Sequence, residues 1–282
     1  MRTVLKITAW VIFLIHTPIF AQNGISWQRS DPEGPGAVIV FTSNHAVNYE
    51  TAGTSSKGNL EFQIYHRFFP PLSEGYEHLY GLDGPVNMRL GFGYALTDDI
   101  MITLGRSNVD DNLDLRGKWR FFQMPHDDYP VMMAVQGGIA WNTGLFNRDD
   151  TDGRNFQYYG QLILNTRILN NLALGAVPSY LYNSDIRSAE YLDLIALGAY
   201  AQYYFTSRLS TIFEFGTVLD GESKEYDTFA WGLELQTAGH FFKLFITNGL
   251  ALNPSQYLAG SDYSLDSDEW RLGFMVTRLI PL

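Results

Sequence analysis

The groups with the greatest capacity for chemistry are charged side chains set among bulky apolar ones. Arg116, Lys118 and Arg120 recur at every second position between Leu115, Gly117, Trp119 and Phe121. Arg89 sits between Met88 and Leu90, Glu214 between Phe213 and Phe215, and Glu234 between Leu233 and Leu235. Alternation of this kind belongs to an extended chain with two unlike faces. If the charged faces enclose one space, the charges must pair or be hydrated, because an isolated charge in a dry interior is very costly. Two outcomes follow. Arg89, Arg116, Lys118 and Arg120 bridge to Glu214 and Glu234 and close the space, or water fills it and the opposed charges set up a transverse field that selects solutes. A narrow or occluded space is the favoured reading.

Other candidate chemistry is weaker. Asp149-Asp150-Thr151-Asp152-Gly153 resembles part of a calcium loop, but with Gly153 at the sixth place the first ligand would be Arg148 and the twelfth Tyr159, both wrong for that motif. A solvated acidic loop is the better reading. Gly91-Phe92-Gly93 lacks the third glycine of a dinucleotide loop and lies within a strand pattern. His45, His66, His78, His126 and His240 are scattered along the chain. His66 continues the apolar set Leu60, Phe62, Ile64, as the outward-facing His of an outer-membrane lipid hydrolase would. Its nearest nucleophile, Ser107, falls two strands away on the opposite face, whereas nucleophile and base need hydrogen-bond contact. With no cysteine in the chain, thiol chemistry and Cys-ligated metals are excluded. The expectation is no enzyme, no cofactor and no metal.

The elements that position these residues are strands. Leu60, Phe62 and Ile64 alternate with Glu61, Gln63, Tyr65 and Arg67; Val86 to Leu96 alternates against Asn87, Arg89, Gly91, Gly93 and Ala95. The pattern repeats along the chain to Trp270, Leu272, Phe274 and Val276, giving about twelve strands of roughly 9–12 residues, the length that crosses a membrane at a tilt. Strands of soluble sandwiches are typically about 5–6 residues. Pro178 inside the seventh strand predicts a bulge. Tight connections at 97–99, 169–171, 206–208 and 237–239 mostly alternate with long ones, as the two ends of an outer-membrane barrel do, and Gln123 to Pro130 breaks the rule. These features favour an all-β, antiparallel up-and-down transmembrane β-barrel over a secreted sandwich or lipocalin-like barrel.

Composition agrees. Aromatic residues make up 15% of the chain and glycines number 26, which suits strands. A mean hydropathy of −0.10 is far too low for a helical multispan protein. A net charge of −11 argues against nucleic acid as a partner. Arg2 and Lys6 precede an apolar run from Ile7 to Ile15, and Ala21 supplies a small residue for cleavage. Residues 1–21 therefore read as a signal peptide, 22–56 as an N-terminal periplasmic segment with Ala37 to Phe41 a possible short strand, and 57–282 as the barrel.

The stretches Lys57 to Phe68 (KGNLEFQIYHRF), Tyr80 to Asp83, Asn87 to Tyr94 (NMRLGFGY) and Leu104 to Ser107, together with Gly239-His240, Ile246-Thr247-Asn248 and Gly273-Phe274, resemble the uncharacterised β-barrel family called domain of unknown function 5777. The resemblance spans most of the exported chain. It implies a protein of a Gram-negative outer membrane, with membrane lipid and the barrel assembly machinery as partners, and it implies no reaction. The leading functional expectation is a narrow channel or transport component of unknown substrate. The alternatives are a non-transporting surface scaffold with acidic loops and, less favoured, a lipid-modifying enzyme.

Overall fold

Twelve runs of alternating residues each present one apolar and one polar face, and in an open sheet the two outermost strands would leave their backbone groups unpaired. Closing the sheet removes both edges. The computed structural model describes residues 38–145 and 148–281, and in it the strands close into an antiparallel barrel with each strand beside its sequence neighbours. They are β1 (Leu60–Pro71), β2 (Val86–Ala95), β3 (Ile100–Ser107), β4 (Asn112–Met124), β5 (Val131–Asn142), β6 (Phe156–Ile168), β7 (Leu172–Tyr182), β8 (Asp193–Tyr204), β9 (Leu209–Gly221), β10 (Thr228–Thr237), β11 (His240–Thr247) and β12 (Arg271–Ile280). β12 closes on β1, with Leu60 opposite Ile280 and Arg67 opposite Gly273. The signal peptide expected over 1–21 lies outside the described residues.

The face assignment follows the alternation. Leu90, Phe92, Leu104, Leu115, Trp119, Phe213, Trp231, Leu233 and Leu244 are exposed on the outside, while Arg89, Thr103, Asp114, Gln136, Gln161, Gln202 and Lys243 are buried inside. So continuous an apolar exterior is far beyond what a water-soluble surface carries. Aromatic contacts gather at both rims. At one end Trp141 stacks on Phe156, Tyr182 on Tyr191, and Phe229 lies against Trp270. At the other, Trp119 meets Phe121 and Tyr203 meets Phe205. Two girdles flanking an aliphatic band are what a bilayer with two polar interfaces selects.

Three local expectations change. Pro178 makes no bulge: Ala176 pairs with Leu164 and Ser179 with Gln161 in one unbroken register, so the proline only interrupts the β6 ladder while its β8 side stays paired. At the β4–β5 connection the ladder runs past a register shift between Arg120 and Phe122 to Met124 opposite Val131, which leaves 125–130 as the connection. Residues 38–41 form no strand.

Candidate functional site

The inner face of the wall is polar and could not stand dry on its own. Two segments fill it. The first is 38–56, a reversal in which His45 bridges Glu50, Thr51 N donates to Asn44 O at 2.9 Å and Ala46 N donates to Tyr49 O at 2.8 Å. The periplasmic placement expected for 22–56 does not hold for 38–56: this hairpin lies inside the barrel, with Val40, Val47, Tyr49 and Ala52 almost fully buried. The physical reason is that the segment supplies what the wall lacks, apolar bulk and a counter-charge. Its arms sit at the end with short connections: Arg167 donates to Val40 O at 2.6 Å, and Thr54 and Lys57 bond to Asp98.

Four charged clasps hold the hairpin, and Asn165 and Tyr200 add neutral hydrogen bonds to its backbone. Glu50 stands between Arg116 (3.2 Å) and Lys118 (2.7 Å), and Lys118 also donates to Thr51 O. Glu214 accepts from the backbone amides of Val47, Asn48 and Tyr49 at 2.9–3.1 Å and from Asn48 Nδ2 at 2.7 Å. His45 Nε2 meets Glu61 Oε1 at 2.5 Å. Lys243 donates to Ser43 Oγ and His45 O and pairs with Glu234 at 2.9 Å. Another contact is steric. The Tyr49 ring lies where Gly198 and Gly216 leave no side chain; a Cβ on Gly198 would stand 2.3 Å from Tyr49 Cζ, and one on Gly216 2.4 Å from its hydroxyl.

The second filler enters from the opposite end. After β11 the chain turns inward and forms a short helix, Pro254–Tyr257, whose Pro254, Ser255 and Tyr257 are buried. Its partners are neutral amides. Asn253 Nδ2 donates to Asn112 Oδ1, Asn112 to Asn142 Oδ1, and Asn142 to Gln157 Oε1 and Asn155 O. Gln157 completes the chain by donating to Asn183 O and Ser255 O. The two fillers touch where Tyr49 meets Tyr257 edge to face, ring centres 5.0 Å apart. Above this insert lies a cleft of about 570 Å³, open at the end with long loops.

Against this geometry the candidate charges separate. Arg89, Arg116, Lys118, Glu214 and Glu234 all face the lumen and are buried. Direct bridging across the lumen does not occur among them. Arg89 binds Asp114 through two bonds of 2.8 and 2.7 Å within the wall, in space left by Gly105. Arg116 and Lys118 reach Glu50 instead of Glu214, because the hairpin stands in between. Arg120 is at the rim, half-buried and bound to Asp99 at 2.8 Å. Residues not singled out beforehand are Glu61, Asp114 and Lys243 on the wall and Glu50 in the hairpin; His45, one of the scattered histidines, joins them. The wall positions alternate with Leu60, Phe62, Leu113, Leu115, Phe242 and Leu244, so their signal was there.

The weaker candidates also resolve. His66 stacks on Phe274 outside the wall, at 4.3 Å, while Ser107 is buried inside it, so they form no dyad. In the acidic loop Asp152 is held down to about 2 by hydrogen bonds from the Arg154 side chain and amide, and Asp149 accepts from Thr151. These oxygens are already occupied by local donors.

Comparison with known proteins agrees with the architecture. No curated protein matches. Among solved structures, the chain is similar to the COG4313 outer membrane channel from Pseudomonas putida, with TM-score 0.53 and 14% identity over 81% of this chain and 98% of that one. It is also similar to the NanC porin (TM-score 0.46, 8% identity, 79% and 99% covered) and to the outer membrane protein Omp33 of Acinetobacter baumannii (TM-score 0.40, 9% identity, 79% and 99% covered). At 14% identity the likeness to the COG4313 channel concerns the fold alone. The family model described as membrane bound beta barrel domain (DUF5777) matches residues 41–280. This chain therefore belongs to the DUF5777 family of membrane-bound β-barrels.

Proposed function

We propose that the protein is a channel of a Gram-negative outer membrane, closed at rest by its own N-terminal hairpin. On this reading residues 1–21 direct export, the barrel assembly machinery inserts the barrel, and the end with short connections faces the periplasm. One observation carries the channel reading: Glu50, the counter-ion shared by Arg116 and Lys118, belongs to the hairpin and not to the wall. Withdrawal of the hairpin would leave a water-accessible bore with those cations on β4 and Glu214 on β9, a transverse field suited to sorting small charged solutes. A transport role also accounts for a polar lumen better than catalysis does, since His66 and Ser107 lie on opposite faces of the wall.

A second reading, a non-transporting surface scaffold, is favoured by the insert at the far end, whose buried short helix narrows the lumen there whether or not the hairpin is in place. Planar-bilayer recording separates the two. Wild-type protein should conduct little. Glu50→Gln combined with Glu214→Gln removes two clasps and should give discrete conductance steps. If that double variant folds, shown by heat-modifiable gel migration, and remains silent, the scaffold reading stands.

A further inference from the structure

Closure of the lumen does not explain the cleft above the insert. Its volume, about 570 Å³, falls within the roughly 300–1,000 Å³ usual for sites that hold small organic molecules. Its walls come from the β7–β8, β9–β10 and β11–β12 connections, and its floor is the insert around the short helix. At this end the buried amides Asn112, Asn142, Gln157 and Asn253 are joined in one chain of hydrogen bonds. Two polar groups lining the cleft are not. Ser184 is 8% exposed, and its hydroxyl has no partner. Gln256 donates its amide to Val109 O at 3.2 Å, yet its Oε1 is shut away and unpaired. Buried polar groups are nearly always satisfied, so unpaired ones lining a cavity point to a ligand that satisfies them.

The chemistry of that ligand follows from the lining. An amide acceptor and a hydroxyl that both donates and accepts suit O–H groups. The rings of Tyr263, with Arg271 packed 3.5 Å over one face, and of Phe69 offer apolar surface for C–H groups. Charge excludes anions. The two cations of the lining are engaged, Arg187 by Asp110 at 2.6 Å and Lys224 by Asp262 at 2.7 Å. Asp185 and Glu222 line the same cleft, and neither forms an ion pair among the described residues. We propose that the cleft is a binding site for a neutral or cationic polyhydroxylated solute of about disaccharide size, with Gln256 and Ser184 as its polar anchors. The site does not depend on conduction and would serve a channel or a scaffold equally.

Titration calorimetry on the full chain in detergent tests this, with maltose and diacetylchitobiose as neutral probes, glucosamine as the cationic one and glucuronate as the anionic one. The expected result is binding of at least one neutral or cationic probe with Kd of about 1 mM. Gln256→Leu and Ser184→Ala should each weaken it by about five- to tenfold, the loss of one or two hydrogen bonds. Glucuronate should bind more weakly, and Asp185→Asn with Glu222→Gln should narrow that gap. Heat-modifiable migration confirms that each variant is folded. Saturation-transfer spectra of the wild-type protein give a readout that needs no variant. No binding of any neutral or cationic probe by about 50 mM overturns the proposal. So does binding indifferent to both anchor substitutions, or a preference for glucuronate.

Discussion

The two segments that fill the lumen are held by different chemistry. The hairpin 38–56 is clasped by charge: Glu50 to Arg116 and Lys118, Glu214 to three backbone amides, His45 to Glu61. The insert after β11 is clasped by neutral amides passing hydrogen bonds from Asn253 to Gln157. The insert is anchored to a strand at each end, whereas among the described residues the hairpin joins a strand, β1, through its C-terminal arm. Charges and amides also respond differently to being parted. A buried charge whose partner leaves regains much of its solvation if water follows, so a clasp made of charges is stable when shut and tolerable when open. Neutral amides gain less from water and lose a cooperative chain. On the channel reading, the hairpin is then the part that moves and the insert the fixed floor of the cleft.

The largest effect should come from Glu50. Glu50→Gln leaves Arg116 and Lys118 without their shared carboxylate; Asp114, 3.9 Å from Arg116 Nε, is already held by Arg89. Breaking a buried pair from one side costs about 3–5 kcal/mol if the charges stay dry. Hairpin release and hydration are the cheaper outcome, so conductance and protease cleavage between 38 and 56 should rise sharply while the barrel stays folded. Adding Arg116→Met and Lys118→Met removes the stranded cations and should draw the hairpin back, lowering both signals. If the triple variant is as open as the single one, charge is not what holds the hairpin.

Next comes the steric socket. Gly198→Ala puts a methyl group 2.3 Å from the Tyr49 ring, and overpacking of this kind costs about 1–3 kcal/mol. Partial release of the hairpin is expected, with flickering conductance instead of a steady open level. Asn253→Ala attacks the other clasp. It should cost a similar 1–3 kcal/mol through the acceptor left on Asn112 and loosen the outer cleft, but leave the hairpin protected from protease. A rise in hairpin cleavage equal to that of Gly198→Ala would mean the two fillers move as one through Tyr49 and Tyr257, and the distinction between gate and floor would fall.

Much of this was legible in the sequence, and the reason is periodicity. Strands that separate lipid from a polar lumen must alternate, so the barrel, its strand number and the inward placement of Arg89, Arg116, Lys118, Glu214 and Glu234 can be read from spacing alone. The hairpin cannot. It has no repeat, and the partners of its tip lie about 165 residues away, as between Tyr49 and Glu214. Only its content hints at burial: Val38, Val40, Phe41, Val47 and Tyr49 are more apolar than an exported linker requires. The pairing is hidden for the same reason. With six charges in view and no third party, Arg116 and Lys118 face Glu214 and Glu234; once Glu50 stands between them, the nearest carboxylate wins.

The smallest effect should belong to Arg120, and it is the sharpest control. In sequence it is the third member of the series Arg116, Lys118, Arg120, and a rule based on charge alone treats the three alike. In the structure it lies beyond the four clasps of the hairpin's body, at the rim, bonded to the side chain of Asp99, which is half exposed, and to the carbonyl of Asp98, which also accepts from Thr54 at the hairpin's arm. Exposed and half-exposed pairs contribute about 0.2–1 kcal/mol, screened further by salt. Arg120→Gln should therefore shift thermal stability by less than about 1 kcal/mol and leave conductance and hairpin cleavage at wild-type levels. Lys118→Gln, two residues away, removes half of the Glu50 clasp and should raise both. Equal behaviour of these two variants would show that the lumen responds to its total charge, and that the position of Glu50 between its partners is incidental.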